Sequence, residues 1–204
     1  MNENIMKTVK ELREKSPKRN FTQTFDLIVN LKDIDLKKPE SRINEEFVLP
    51  KGRGQEAEVA IFSDTTKADT KIFTSADIDK MTKDRRLARK HIRDTEFFLA
   101  EAKLMPVIGK ALGQLLAPKG KMPKVIAGNV DATVKELKNS VRIKVKDSPV
   151  IQVRIGNEGM KDEDVAENIE AVVKHLETRL PQKKDNIKEV LLKLTMGSPV
   201  KVVQ

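Results

Sequence analysis

The sequence has no cysteine, tryptophan or tyrosine among its 204 residues. The lack of cysteine excludes disulfide bonds, thiolate zinc sites and thiol catalysis, and it fits a reducing cytoplasm. The two histidines, His91 and His175, are too few for a metal site built from several imidazoles. Neither lies in a serine or carboxylate pattern that indicates a catalytic triad, so we expect both to be surface or half-buried residues.

Long apolar segments and stacking side chains are also scarce. The chain has no uncharged apolar run of about 18 residues, so no membrane-spanning helix is expected. Its first residues lack a basic segment followed by an apolar one, so no signal peptide is expected. Phenylalanine is the only aromatic residue type, with seven copies. Recognition of single-stranded RNA by stacking bases on aromatic side chains is therefore disfavoured.

Basic residues are in excess, and they are unevenly placed. The 40 Lys and Arg against 31 Asp and Glu give a net charge of +9, which makes a polyanion the leading candidate partner. Residues 57–148 carry +7 of this charge, residues 1–56 carry +2, and residues 149–204 are neutral. Charge alone therefore points to the middle of the chain.

Two segments of the middle region concentrate positive charge. Residues 83–93 predict a helix whose arginines, Arg85, Arg86 and Arg89 among them, share a broad face. A basic loop with Lys119 and Lys121 follows later in the chain. One interpretation of the helix is a stripe that contacts phosphates. The other is an ordinary solvated face balanced by nearby acids, and both remain open.

Hydrophobic periodicity predicts an alternation of helices and strands. Along residues 21–32, apolar and polar side chains alternate, as in a strand with one buried and one wet face. Predicted strands cover 21–32, 47–49, 59–62, 71–73, 97–100, 141–145, 151–155, 187–195 and 200–203. Predicted helices cover 4–15, 75–93, 101–116, 131–139 and 162–180.

Two breaks divide the chain. Pro50–Gly54 contains a proline and two glycines, and Ser148-Pro149 is a second boundary. Between them, short apolar strands alternate with helices, which is typical of a parallel α/β sheet. We predict an α/β protein with a split α+β outer domain, 1–56 and 149–204, and an inserted α/β domain, 57–148. A single mixed α/β domain with a long excursion is the alternative.

The glycines do not form a phosphate-binding motif. Gly113 and Gly120 are too far apart for a P-loop, and Met122 stands where Ser or Thr would ligate magnesium. The acidic residues show no spacing typical of paired acid–base catalysis. We therefore expect no catalytic residues, no metal site and no cofactor.

Several motifs in order resemble the universal large-subunit ribosomal protein one family, archaeal type. The similarity covers nearly all of the chain. The matching segments are Asn20–Leu27, Leu49–Gly54, Gly113–Pro123, Ala127–Val130, Asp164–Ile169 and Thr195–Gly197.

The resemblance implies a two-domain protein whose inserted domain is Rossmann-like and which has no enzymatic activity. Its implied function is to bind large-subunit rRNA and form the mobile stalk near the tRNA exit site, assisting release of deacylated tRNA. Translational repression through its own mRNA is also implied. The expected state is a cytoplasmic protein of the ribosome, monomeric off the ribosome.

The resemblance also implies an RNA-binding surface on the polar side of the outer sheet. The start of its first strand contributes Phe21, Thr22 and Thr24, and the end of its last contributes Thr195, Met196 and Gly197. In the predicted strand, the side chain of Phe21 lies on the same face as that of the core-facing Phe25. We therefore expect Phe21 to contact RNA through its backbone. Asp26, Gln152 and Arg154 complete this surface, and Arg85, Arg86, Arg89, Lys119 and Lys121 supply secondary basic contacts.

Two other function classes stay open. One is an RNA-processing or nucleotide-binding enzyme that uses the Rossmann-like domain, which requires a bound nucleotide or metal. The other is a sequence-specific DNA regulator that uses the basic helix. Charge and resemblance also point to different domains as the main RNA-binding domain. The charge favours the inserted domain, whereas the resemblance favours the nearly neutral outer one.

Overall fold

The chain divides into two compact units. Met1–Glu56 and Asn139–Gln204 form one unit, here called the terminal unit, and Ala57–Lys138 form the inserted unit. The computed structural model describes residues 2–36, 43–65, 68, 70–126, 128–145 and 148–202. Its elements in chain order are α1 (Asn2–Lys15), β1 (Thr24–Leu31), β2 (Asn44–Val48), β3 (Val59–Phe62), β4 (Lys71–Phe73), α2 (Ser75–Lys83), α3 (Arg85–Asp94), β5 (Phe97–Ala100), α4 (Met105–Leu116), β6 (Lys124–Val125), α5 (Val130–Lys138), β7 (Ser140–Lys144), β8 (Val150–Asn157), α6 (Asp162–Arg179), a 3-10 turn (Lys183–Asn186), β9 (Ile187–Leu194) and β10 (Val200–Val202).

The terminal unit is built on an antiparallel sheet with strand order β10-β9-β1-β8. In β1 every second side chain, from Phe25 to Leu31, enters the core, and the residues between them are partly exposed. Apolar stripes of α1 and α6 join the same core, because residues spaced by three and four share one face of a helix. The alternation predicted for residues 21–32 is confirmed from Gln23 to Leu31, but Phe21 is exposed and the strand itself begins three residues later, at Thr24.

The inserted unit is a parallel sheet with order β4-β3-β5-β6 and helices α2 to α5. β3 and β5 are buried along their whole length, as expected for strands covered on both faces. The predicted mixed α/β fold class, with an antiparallel sheet and a parallel one, is thus confirmed. Sequence periodicity does not predict β6, because its two residues are exposed and carry no apolar alternation.

The second crossing between the units lies at Lys138 and Asn139, not near residue 148 as predicted. β7 pairs antiparallel with β2, which places residues 140–144 in the terminal unit. Ser148-Pro149 lies directly before β8, within the terminal unit. With this correction the terminal unit has 24 basic and 20 acidic residues, or +4, and the inserted unit has 16 and 11, or +5. The expected charge difference between the units therefore nearly vanishes.

Residues 75–93 form two helices instead of the single predicted one. Asp84 interrupts them with an extended backbone (φ −110°, ψ 92°). Its carboxylate accepts hydrogen bonds from the amides of Arg86 (2.8 Å) and Leu87 (3.2 Å). An aspartate that satisfies the free amides of a first turn is a strong helix N-cap. The apolar periodicity continues across this break, so periodicity alone does not reveal it.

Candidate nucleic-acid interface

The wet face of the antiparallel sheet has a charged row at its centre. Asp26 in β1 lies opposite Arg154 in β8 and Lys193 in β9. Burial raises the pKa of the Asp26 carboxyl, while the positive charges of Arg154 and Lys193 act to lower it. The three charged side chains therefore lie on neighbouring strands, on the partly exposed face of the sheet. Gln152, also predicted at this site, lies two residues from Arg154 and is exposed.

At one end of this face, two threonines from distant parts of the chain form a hydrogen-bonded pair. The Oγ1 atoms of Thr24 and Thr195 are 2.9 Å apart. The backbone amide of Thr24 also donates to Thr195 Oγ1 at 3.0 Å. Thr24 begins β1 and Thr195 follows β9, so the antiparallel pairing of these strands brings them together. The pair presents hydroxyl groups at a partly exposed edge.

The threonine pair belongs to what we call the edge cluster: Phe21, Thr22, Thr24, Thr195, Met196 and Gly197. The side chains of Phe21 and Met196 are 50% and 58% exposed, which is unusual for large apolar residues. Phe21 does not point into the core as predicted from the strand alternation, because residue 21 precedes β1 and does not follow that alternation. The phenyl ring is therefore available for contact, in addition to the backbone.

A tight turn follows Thr195. The amide of Gly197 donates to the carbonyl of Leu194 at 2.9 Å. A Cβ atom at position 197 would lie 2.8 Å from Ser16 Oγ and 3.4 Å from Leu194 Cβ. Glycine thus keeps the turn that displays Met196 close against the segment after α1.

The edge cluster is supported by Gln23, a residue that the strand alternation groups with the core. Gln23 is fully buried. Its side-chain carbonyl accepts from the amide of Met196 (3.3 Å), and its side-chain NH₂ donates to the carbonyl of Pro17 (3.3 Å). The only local indication of this role is that Gln23 is polar, whereas the other residues that alternate on the same side of the predicted strand are apolar.

A second layer of contacts holds the backbone of Gln23. The amide of Glu158 donates to the Gln23 carbonyl at 2.9 Å. Arg13 of α1 donates to the carbonyls of Glu158 (2.7 Å) and Met160 (2.6 Å) and pairs with Asp162 (2.7 Å). No local pattern in the sequence indicates this role of Arg13, because its partners are almost 150 residues away along the chain.

The predicted basic residues of the inserted unit occupy different environments. Arg85, Arg86 and Arg89 are exposed on α3. Arg86, Arg89 and Lys119 line a groove of about 760 Å³ between α3 and the end of α4, whereas Arg85 does not. The ammonium of Lys121 instead donates to the carbonyls of Ile92 (2.8 Å), Arg93 (3.3 Å) and Thr95. Lys121 therefore stabilises the C-terminal end of α3, where carbonyls are left without helical partners.

The two histidines are half-buried, as predicted. The ring of His91 packs edge-on to Phe73 at 5.2 Å between centroids. The ring of His175 lies 4.6 Å from Phe47, and its Nε2 is 3.4 Å from a carboxylate oxygen of Glu45. Within the described ranges, no group of three metal-ligating side chains comes together. In the same part of the chain, the helices are too short or too polar to cross a bilayer.

Comparison with known proteins decides the family. The sequence pattern of the ribosomal protein L1p/L10e family matches residues 4–198. The chain belongs to this family. The family is structural and not enzymatic, in agreement with the prediction from the absent phosphate and acid–base motifs.

The chain is also similar to archaeal proteins named large ribosomal subunit protein uL1. The Methanobrevibacter smithii protein is 39% identical over 212 residues, covering 100% of both chains. The Pyrococcus horikoshii protein is 42% identical, covering 97% of this chain and 94% of the relative. The Methanocaldococcus jannaschii protein is 42% identical, covering 98% and 95%. The archaeal resemblance of the sequence is thereby confirmed for this member of the L1p/L10e family.

Proposed function

We propose that the protein is a structural constituent of the large ribosomal subunit and binds a folded site in large-subunit rRNA through the edge cluster. The observation that carries the proposal is the Thr24–Thr195 pair, which presents hydroxyl groups at a solvent-accessible edge beside the exposed Met196 side chain. Membership of the L1p/L10e family and similarity to uL1 proteins support the same role.

The chemistry of the edge cluster suits RNA. Threonine hydroxyls and backbone groups pair with ribose 2′-OH groups, which distinguish RNA from DNA. The thioether of Met196 and the ring of Phe21 provide apolar contact area for sugar faces. Arg154 and Lys193 lie on the strands on either side of Asp26, on the sheet face next to the edge cluster. From there they add contacts to phosphate groups of the RNA. Most of the specificity then comes from shape and sugar contacts, and less from net charge.

The proposal extends to the biological setting that the resemblance implies. The bound rRNA forms the mobile stalk near the tRNA exit site of cytoplasmic ribosomes, and the protein assists the release of deacylated tRNA by moving with it. Off the ribosome the protein is a monomer. A similar structure in its own mRNA competes for the edge cluster, so that excess protein represses translation of its message.

The experiment is a salt titration of binding to a large-subunit stalk rRNA fragment, an unrelated structured RNA and duplex DNA. The full chain is compared with Thr195→Val, which removes the hydroxyl, and with Thr195→Ser, which keeps it. Met196→Ala tests the exposed side chain, and replacement of Arg85, Arg86 and Arg89 by Gln tests the basic helix.

We expect the stalk fragment to be preferred by roughly a thousandfold. Thr195→Val and Met196→Ala each reduce this preference, and Thr195→Ser retains it. Arginine removal lowers binding to all three ligands alike and reduces the slope of affinity against salt. Equal binding of all three ligands, with only the arginine variant affected, would show a general polyanion binder and overturn the proposal. Equal or tighter binding of duplex DNA would instead favour the DNA-regulator alternative.

Repression is tested separately with the same variants. A fragment of the protein's own mRNA leader should compete with the stalk fragment for the full chain and should lose affinity with Thr195→Val. A leader that binds the protein and the stalk fragment at the same time would contradict a shared site.

A further inference from the structure

The inserted unit carries an open groove with an apolar floor and a basic rim, apart from the edge cluster. The groove has a volume of about 760 Å³ and lies between α3 and the end of α4. Leu87, Leu115 and Pro118 contribute apolar surface to it. Leu87 is 37% exposed although it lies on a helix that has two buried core residues of its own, Ala88 and Ile92. Leu87 is not one of the described residues that form this core or pack against it.

The rim of the groove carries unbalanced positive charge. Arg86, Arg89, Lys90 and Lys119 line it, and none of the four forms an ion pair with any residue in the described part of the chain. The one acidic residue at the rim is Asp84, whose carboxylate already accepts the two amides at the start of α3. The surface thus offers four free cations around an apolar floor.

We propose that this groove is a docking site for an acidic amphipathic helix of a protein partner. An amphipathic helix places apolar side chains at positions i, i+3, i+4 and i+7 on one face, and such a stripe fits an apolar groove. Glutamates or aspartates that flank the stripe pair with the four rim cations. Charge complementarity thereby selects an acidic helix over a neutral or basic one.

The composition of the groove favours a protein over RNA as the occupant. A phosphate backbone is bound by cations and polar groups, and it gains nothing from the exposed side chain of Leu87. Unstacked bases need aromatic platforms, whereas the residues that line the groove include no aromatic side chain. A second copy of this chain is also disfavoured, because each copy carries a net charge of +9.

The test measures binding of three labelled peptides to the full chain by fluorescence anisotropy. The first is an 18-residue helical peptide with Leu at i, i+3, i+4 and i+7 and Glu on both flanks. The second replaces each Leu by Ser and keeps the charge, and the third replaces each Glu by Lys and keeps the Leu stripe. We expect the first peptide to bind at least tenfold more tightly than either of the others.

Variants of exposed residues locate the site with matched controls. Leu87→Gln should weaken binding of the first peptide by about tenfold. Its control is Val107→Gln, an exposed apolar residue of α4 outside the groove. Arg89→Glu should weaken binding by a similar factor, and its control is Arg85→Glu on the same helix but outside the groove. Circular dichroism checks that all four variants keep the fold.

Each other outcome overturns the proposal. If the all-Ser peptide binds as well as the first, or if Leu87→Gln has no effect while Arg89→Glu does, the rim binds polyanions in general. If a structured RNA competes with the peptide and its own affinity falls much more with Arg89→Glu than with Arg85→Glu, the groove is an RNA contact. If the protein dimerises and Leu87→Gln makes it monomeric, the groove joins two copies of the chain. If no peptide binds, the groove is not a docking site for a helix.

Discussion

The backbone amide of Met196 donates a hydrogen bond to the side-chain carbonyl of Gln23 over a distance of 3.3 Å. The other half of the same side-chain amide donates to the carbonyl of Pro17. One buried glutamine thus connects the segment after α1, the start of β1 and the turn after β9. The position of the exposed Met196 side chain depends on this residue, although Gln23 itself has no contact with solvent.

Gln23→Met should impair RNA binding without unfolding the protein. Methionine has a similar volume, but it removes both side-chain hydrogen bonds and frees the turn that carries Met196. A loss of one or two such bonds is worth about 1.5 kcal/mol, or roughly a tenfold weaker affinity for the stalk rRNA fragment. Filter binding at fixed salt measures this affinity. Gln55→Met, a change at an exposed glutamine, is the matched control.

The Asp26 carboxyl should titrate above its ordinary range. Burial raises its pKa, and the charges of Arg154 and Lys193 oppose this increase. Arg154→Met removes one opposing charge, so the pKa of Asp26 should rise further. NMR titration of the Asp26 carboxyl carbon measures both values. A lower pKa in the Arg154 variant would contradict the assigned cause.

The same shift gives a sign for the dependence of stability on pH. Because folding raises the pKa of Asp26, the folded state binds the proton more tightly than the unfolded state does. Ionisation of this group therefore lowers the free energy of unfolding as the pH rises from the ordinary value of 3.8 through the higher folded pKa. The Asp26→Asn variant has no ionisable group at this position, so its free energy of unfolding does not fall for this reason. Urea unfolding should show the variant gaining stability relative to the parent across that window and holding the gain above it.

Asn168→Ala should destabilise the terminal unit. The Asn168 side chain is fully buried; it accepts from the amide of Lys51 (3.1 Å) and donates to the carbonyls of Gly52 (2.8 Å) and Ile155 (3.0 Å). Losing these bonds should reduce the free energy of unfolding by about 1–3 kcal/mol, measured by urea denaturation with circular dichroism. Asn20→Ala, at an exposed asparagine, should change it by less than about 0.5 kcal/mol.

Two substitutions of glycine by alanine should change the stability of the protein in opposite directions. Gly54 has a φ of +79°, and a Cβ there would lie 2.6 Å from the side chain of Asn157, so Gly54→Ala should destabilise the protein by about 1–2 kcal/mol. Gly109 lies within α4, and a Cβ added there would meet nothing within 4 Å, so Gly109→Ala should stabilise the protein by about 0.5–1 kcal/mol. Thermal unfolding of both variants gives the comparison, and equal signs would contradict the assignment.

Much of the fold is predictable because the relevant signals are local. The alternation in β1 and the stripe of α6 each depend on side chains a few residues apart, and the structure places them as expected. The break at Asp84 is not predictable from periodicity, because a cap is decided by one backbone conformation. The sequence pattern also misses the assignment of residues 140–144 to the terminal unit, since it depends on pairing with β2 almost 100 residues earlier.

The order of motifs predicts Thr24, Thr195 and Met196 as members of the candidate site, but it does not predict the residues that hold them in place. Gln23 and Arg13 act through hydrogen bonds to distant backbone groups, which leave no periodic trace in the sequence. Parity assigns Phe21 to the core, and its exposure becomes visible only when the start of β1 is known.

The sequence by itself excluded disulfide bonds and thiolate or multi-histidine metal sites, predicted the main helices and strands and indicated the family. These features depend on residue types and their local spacing. Only the tertiary structure decided which distant residues meet. The hydroxyls of Thr24 and Thr195 are 171 positions apart along the chain and 2.9 Å apart in space. Strand pairing over such a separation is set by the register of the whole sheet and the packing of its core, and no local pattern encodes it.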